Sequence, residues 1–137
     1  MAKTVFKTSP ALKKAADIAV KEVLAVKEGE HVLIITNPEK DVYKIAQAMY
    51  VASLNADALP ALVVQQRKTS FDYAEPPVIG AIKTEPPVII SISAERMGKD
   101  REALANPYKG KGGKTYSRFL IICSTRLRRF GRFGLQK

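Results

Sequence analysis

The chain has 137 residues, a formal net charge of +10 and a 46% share of hydrophobic residues. This length fits one domain, which buries about two thirds of the surface that its unfolded chain exposes. The single cysteine, Cys123, excludes an internal disulfide, and with no signal peptide in sight it favours a cytoplasmic protein. No apolar run approaches the roughly 20 residues of a membrane-spanning helix, so we expect no membrane segment.

Positive charge is distributed unevenly along the chain. Residues 1–116 carry 14 Lys and 3 Arg against 13 acidic residues, a net charge of +4, whereas residues 117–137 carry 5 Arg, 1 Lys and no acidic residue, a net charge of +6. This change of composition suggests that residues 117–137, an atypical basic tail, have a different origin from residues 1–116, which we treat as the domain.

The first half of the chain reads as helix, strand and helix. Ser9 and Pro10 are typical of an N-cap and a first helical position, and the helix is predicted to end near Gly29. Its apolar stripe comprises Leu12, Ala16, Ala19, Val23 and Val26. The apolar run His31–Thr36 predicts a strand that is covered on both faces. A second helix is predicted from a cap at Asp41 to about residue 55, and the face it buries comprises Val42, Ile45, Met49 and Ser53.

The second half continues the alternation. Residues 59–65 predict a strand whose start Pro60 confines to a sheet edge or entry, and 78–83 predict a short helix. Strands are expected again at Val88–Ser93 and at 119–123, with a short helix near 101–105 between them. This order predicts an α/β fold: a small, mostly parallel sheet with helices on both faces, in a Rossmann-like layering.

The segment GKGGKT at residues 110–115 invites a comparison with phosphate-binding loops. Such a loop needs a glycine five positions before the final Gly-Lys-Thr, and Tyr108 occupies that place. We therefore interpret this segment as a basic surface loop.

Catalytic chemistry has few candidate residues in this chain. One histidine and one cysteine cannot form a metal site of the usual kind, so we predict no metal ligand, no cofactor and no catalytic residue. His31 is interpreted as a structural or surface residue, and Cys123, which follows two isoleucines, as a buried and inert thiol.

Polar residues follow two of the predicted strands, where parallel sheets usually bind their ligands. Thr36 ends the first strand, Asn37 follows it, and Ser93 ends the third strand. These residues are candidates for binding an anion or a nucleotide. The alternative is that Asn37 and Ser93 only make turn and capping hydrogen bonds.

The basic tail interleaves arginine with phenylalanine, a pattern that can contact phosphates and stack on bases. The candidate nucleic-acid-binding residues are Arg126, Arg128, Arg129, Phe130, Arg132 and Phe133. They match no complete RNA-binding signature, and a small nucleic-acid-binding protein is the alternative function.

Several segments together carry a family resemblance. They are AADIAVKEVLAVKEGE running into HVLIIT, then NPEKDVYKIAQAMYVASLNADA, ALVVQQR, PPVIISIS and ANPYKGKGGKTY. Residues 15–116, about three quarters of the chain, resemble the amino-terminal domain of the aminopeptidase T-like (leucyl aminopeptidase) family of metallo-aminopeptidases. The resemblance implies a parent enzyme that removes amino-terminal residues from peptides with two divalent metal ions. Its metal ligands would belong to a carboxyl-terminal domain and have no counterpart here.

The resemblance ends after Tyr116, where such enzymes usually continue with an Asp-His pair, a helix and a Phe-Trp-Ser-Pro stretch. Codons can be chosen for residues 117–137 that read YYLLDALKTIRSFWSPE in another frame, which is similar to that continuation. The hypothesis is that the tail is a frameshift product and the chain a truncated, non-catalytic aminopeptidase domain. A truncated domain is expected to expose apolar surface and to form homo-oligomers.

Overall fold

The computed structural model describes residues 6–69, 72–94 and 118–123. The helices are α1 (Pro10–Ile18), continued by a π-helical segment (Ala19–Val23), α2 (Lys40–Asn55) and α3 (Pro76–Lys83). The strands are β1 (His31–Thr36), β2 (Leu59–Val64), β3 (Val88–Ser93) and β4 (Arg118–Cys123).

The four strands form one sheet in the order β2-β1-β3-β4, and each neighbouring pair is parallel. Strand β4 lies within the basic segment 117–137, so the beginning of that segment belongs to the same sheet as residues 31–93. The predicted fold class, an α/β fold with a small parallel sheet, is confirmed.

The sheet is covered by helices on both faces because its central strands are apolar at successive positions. Val32 and Ile34 of β1 pack with α1 and α2 on one face, and Leu33 and Ile35 pack with α3 on the other. All six residues of β3 are buried as well. The continuous apolar runs therefore arise from two covered faces, as their sequence predicts.

The first helix departs from its prediction at its carboxyl end. Ser9 caps it as expected, accepting a hydrogen bond from the Leu12 N–H at 3.2 Å. However, a π-helical turn follows, in which the Leu24 N–H donates to the Ala19 carbonyl. The wider turn advances the buried face by one residue, so Val20 and Leu24 are buried whereas Val23 is 64% exposed. The prediction for Val23 was wrong because it assumed a regular helical period.

That helix also ends earlier than Gly29. Ala25 adopts a left-handed conformation with φ of 49°, and the Val26 N–H donates to the Val20 carbonyl. This bond spans one residue more than the closing bond of a Schellman motif, and together with the left-handed Ala25 it ends the helix and turns the chain away. Here alanine occupies the position that glycine usually takes.

The remaining bounds agree closely with the sequence analysis. Strands β1 and β3 have the predicted limits, and α2 buries Val42, Met49 and Ser53 as expected. The cap of α2 was predicted wrongly, since Glu39 precedes the helix and Asp41 lies in its first turn. The predicted helix near 101–105 lies outside the described residues. Among the residues described, no helix is long and apolar enough to cross a membrane.

Candidate functional site

The carboxyl end of the sheet is where a parallel α/β fold normally places its ligand. Strand β2 lies on one side of β1 and β3 lies on the other. The direction in which successive strands are placed in the sheet therefore reverses at β1. The crevice rule for such sheets therefore points to the space between the ends of β1 and β3. The side chain that occupies this space is Asn37, the residue directly after β1.

Asn37 is completely buried and connects the ends of three strands. Its Oδ1 atom accepts a hydrogen bond from the Ala94 N–H, directly after β3, at 2.6 Å. Its Nδ2 atom donates to the carbonyl oxygens of Gln65, at 3.0 Å, and Gln66, at 3.3 Å, directly after β2. One amide side chain thus ties β2, β1 and β3 together.

The hydrogen-bonding capacity of Asn37 is nearly consumed by these contacts. A carboxamide offers two N–H donors and two acceptor lone pairs. Both donors have backbone carbonyl acceptors and one lone pair is used by Ala94, which leaves one lone pair. The arrangement matches the alternative interpretation of Asn37, in which its amide makes structural bonds between turns.

Gln65 extends this network to the other face of the sheet. It is 5% exposed, and its backbone N–H donates to the Thr36 carbonyl at 2.9 Å, which prolongs the ladder between β1 and β2. Its side-chain Oε1 accepts from the N–H of Glu75, the residue that precedes α3, at 3.0 Å. Gln65 therefore fixes the start of α3 relative to the end of β2.

The other two predicted ligand residues also face the interior. Thr36 is completely buried, and its hydroxyl lies 3.5 Å from the Asn37 carbonyl oxygen. Ser93 is 2% exposed and its hydroxyl lies 3.3 Å from that of Ser91. The structure thus brings Thr36, Asn37 and Ser93 to the same end of the sheet, as predicted, and gives each of them an internal contact.

The opposite, amino end of the sheet contains an open groove of about 440 Å³. It lies on the α3 side, between the starts of the strands and the end of α3. His31 and Leu59 contribute from the strands, and the segment 84–87 contributes from the connection between α3 and β3. The groove is mostly apolar, and His31, predicted to be a structural or surface residue, is exposed there.

The described part of the chain contains no metal-binding cluster. Within 6–69, 72–94 and 118–123, no group of three or more His, Cys, Asp or Glu side chains is placed to hold a metal ion. The GKGGKT segment lies outside the described residues. So do the nucleic-acid candidates Arg126, Arg128, Arg129, Phe130, Arg132 and Phe133. Their proposed roles remain predictions.

Comparison with known proteins finds no family model and no curated sequence that match the chain.

The structure adds one residue that the sequence patterns did not indicate, Gln65. Its only local signal is a polar residue at the end of an apolar strand. Its partner Glu75 is ten residues away, and no periodic pattern connects the two.

Proposed function

We propose that this chain is a non-catalytic α/β domain that corresponds to the amino-terminal domain of a cytoplasmic, metal-dependent aminopeptidase. The observation that carries the non-catalytic role is the position of Asn37. The crevice in which parallel α/β sheets bind ligands holds a buried amide whose bonds go to the protein's own backbone. This end of the sheet serves to hold the domain together.

The resemblance across residues 15–116 supports the assignment to an aminopeptidase. In that family the metals and the attacking water would belong to the carboxyl-terminal domain, and the amino-terminal domain would line the cavity. A domain that only lines the cavity needs a rigid fold more than it needs reactive side chains. The parallel sheet with both faces covered and its strand ends joined by one side chain fits that requirement.

The first test is to read the gene beyond the codon for Tyr116 in all three frames. We expect a shifted frame to encode an Asp-His pair, a Phe-Trp-Ser-Pro stretch and then a long sequence rich in Glu, His and Asp. If a stop codon soon ends every frame, the aminopeptidase assignment is wrong and the tail is a native part of the protein.

The second test compares two proteins in one peptidase assay. The first protein consists of residues 1–116 followed by the sequence that the shifted frame encodes. It is expected to release amino-terminal residues from peptides when Zn²⁺, Co²⁺ or Mn²⁺ is added, and a chelator should abolish this activity. The present chain with the same metals is expected to give no hydrolysis. Hydrolysis of aminoacyl amides by the present chain would overturn its non-catalytic role.

If residues 117–137 are a native part of the protein, nucleic-acid binding by this tail becomes the function to test. Because β4 begins at Arg118 and pairs with β3, deletion of 117–137 would also remove a strand. The suitable variant replaces Arg126, Arg128, Arg129 and Arg132 by Gln and keeps the strand. Steep salt-dependent binding of DNA or RNA that this variant loses would favour the nucleic-acid alternative.

A further inference from the structure

Strand β3 has the composition and burial of an interior strand, whereas β2 has those of an edge strand. All six residues of β3 are buried, and residues 88–93 contain neither proline nor a charged side chain. Strand β2 contains Pro60 and exposes Leu59, Ala61 and Val64. Natural sheets protect their free edges from other chains with proline, charge and short or twisted strands. Because β3 contains neither proline nor charge, a free edge at β3 would pair readily with another chain.

The hydrogen bond between Ala94 and Asn37 identifies the side of β3 to which each backbone group points. The Ala94 N–H, directly after β3, donates to the side chain of Asn37, directly after β1. Ala94 therefore points to the β1 side, and alternate residues of a strand direct their backbone groups to opposite sides. The even-numbered residues of β3 thus face β1. The residues that face the other side are Ile89, Ser91 and Ser93.

Strand β4 covers this other side of β3. The two strands pair along their whole length, with residues 88–93 opposite residues 118–123. Leu120 of β4 also packs against the core cluster that contains Ile90 and Ile92. The pairing supplies partners for backbone groups that would otherwise form a free edge.

We propose that residues 118–123 act as an edge-closing strand that keeps β3 from pairing with other copies of the chain. By composition this segment belongs to the basic tail, but by position it completes the sheet of the domain. This role follows from the pairing and burial of β3, and it holds whether the segment is native or a frameshift product. Its failure and the failure of the aminopeptidase assignment are therefore distinguishable.

The pairing is tested first, by amide hydrogen exchange of the wild type. The N–H groups that face β4 are those of Ile89, Ser91 and Ser93, and those that face β1 include Ile90 and Ile92. Both sets are expected to exchange at least about 100-fold more slowly than in an unfolded chain. If the set that faces β4 exchanges as fast as in an unfolded chain, the edge of β3 is open and the proposal is overturned.

A matched pair of leucine variants then weakens β4. Leu120→Asn removes apolar contacts between β4 and the core, and Leu127→Asn makes the same change after the strand. Because an edge strand opens before the whole domain unfolds, the amides that face β4 should lose at least about tenfold more protection in L120N than those that face β1. L127N should leave both sets within about threefold of the wild type. An equal loss in both sets of L120N would contradict a strand that closes the edge separately.

The protective role is tested by sedimentation velocity of the same variants at about 0.15 M salt, where long-range repulsion between the cationic copies is screened. With the edge of β3 exposed, L120N is expected to form dimers and larger species as its concentration rises. L127N should sediment like the wild type. If L120N exposes the amides that face β4 and still sediments like the wild type, the proposal is overturned. Should L120N unfold the domain, as circular dichroism would show, the milder change Leu120→Val takes its place in both measurements.

Discussion

The two ends of the parallel sheet are built differently. At the carboxyl end, the buried side chain of Asn37 joins the strands, and the side chain of Gln65 joins the end of β2 to the start of α3. At the amino end, the connections contain those described residues that have positive φ: Ala25 and Gly29 before β1, Asp57 before β2 and Glu85 before β3. One end therefore depends on specific polar partners, and the other on turns that glycine would suit. Substitutions of the polar residues at the carboxyl end should lower the free energy of unfolding. Glycine substitutions in the turns at the amino end should be able to raise it.

The largest effect is expected for Asn37→Ala. This change leaves the Ala94 N–H and the Gln65 carbonyl buried without their side-chain partner, so the free energy of unfolding should fall by about 2–4 kcal/mol. Urea unfolding followed by circular dichroism measures the change. Asn55→Ala, at the exposed end of α2, is the matched control and should stay within about 0.5 kcal/mol of the wild type. A loss at Asn37 no larger than that of the control would show that the amide does not hold the strands.

A smaller loss is expected for Gln65→Ala, which removes the acceptor of the Glu75 N–H at the start of α3. We expect the free energy of unfolding to fall by about 1–2 kcal/mol. The neighbouring Gln66 has an exposed side chain and engages Asn37 only through its backbone carbonyl, so Gln66→Ala should be nearly neutral. Equal effects at the two positions would contradict the role of the Gln65 side chain.

Sequence patterns predicted the strands better than the polar contacts between them. The bounds of β1 and β3 follow from their continuous apolar residues, because strands with two covered faces have a distinctive composition. The π-helical turn at Ala19–Val23 and the internal bonds of Gln65 were not predictable in this way. The first interrupts the regular helical period and thereby exposes Val23, and the second depends on residues that only the fold brings together. For Asn37, the local pattern allowed both a ligand role and a structural role.

The amino end should respond in the opposite direction. Ala25→Gly and Glu85→Gly replace residues at φ of 49° and 56°, where a Cβ atom is unfavourable. Each is expected to raise the free energy of unfolding by about 0.5–1 kcal/mol, after allowing for the greater freedom of glycine in the unfolded chain. Thermal or urea unfolding measures the gain.

The control for these glycine substitutions is Ala11→Gly, at an exposed position inside α1. There the backbone is helical, so glycine should lower the free energy of unfolding by up to about 1 kcal/mol. A loss of stability at Ala25 and Glu85 of the same size would mean that their backbone conformation is not strained.

The most direct test of the difference between the two ends is amide hydrogen exchange at Ala94. In the wild type this N–H is buried and donates to Asn37 Oδ1, so it should exchange only with global unfolding, as slowly as the amides of β1 and β3. In Asn37→Ala its protection should fall by far more than that of the β1 and β3 amides. If the Ala94 amide of the wild type exchanges as fast as those of exposed turns, the carboxyl end of the sheet is open, and the structural role of Asn37 is contradicted.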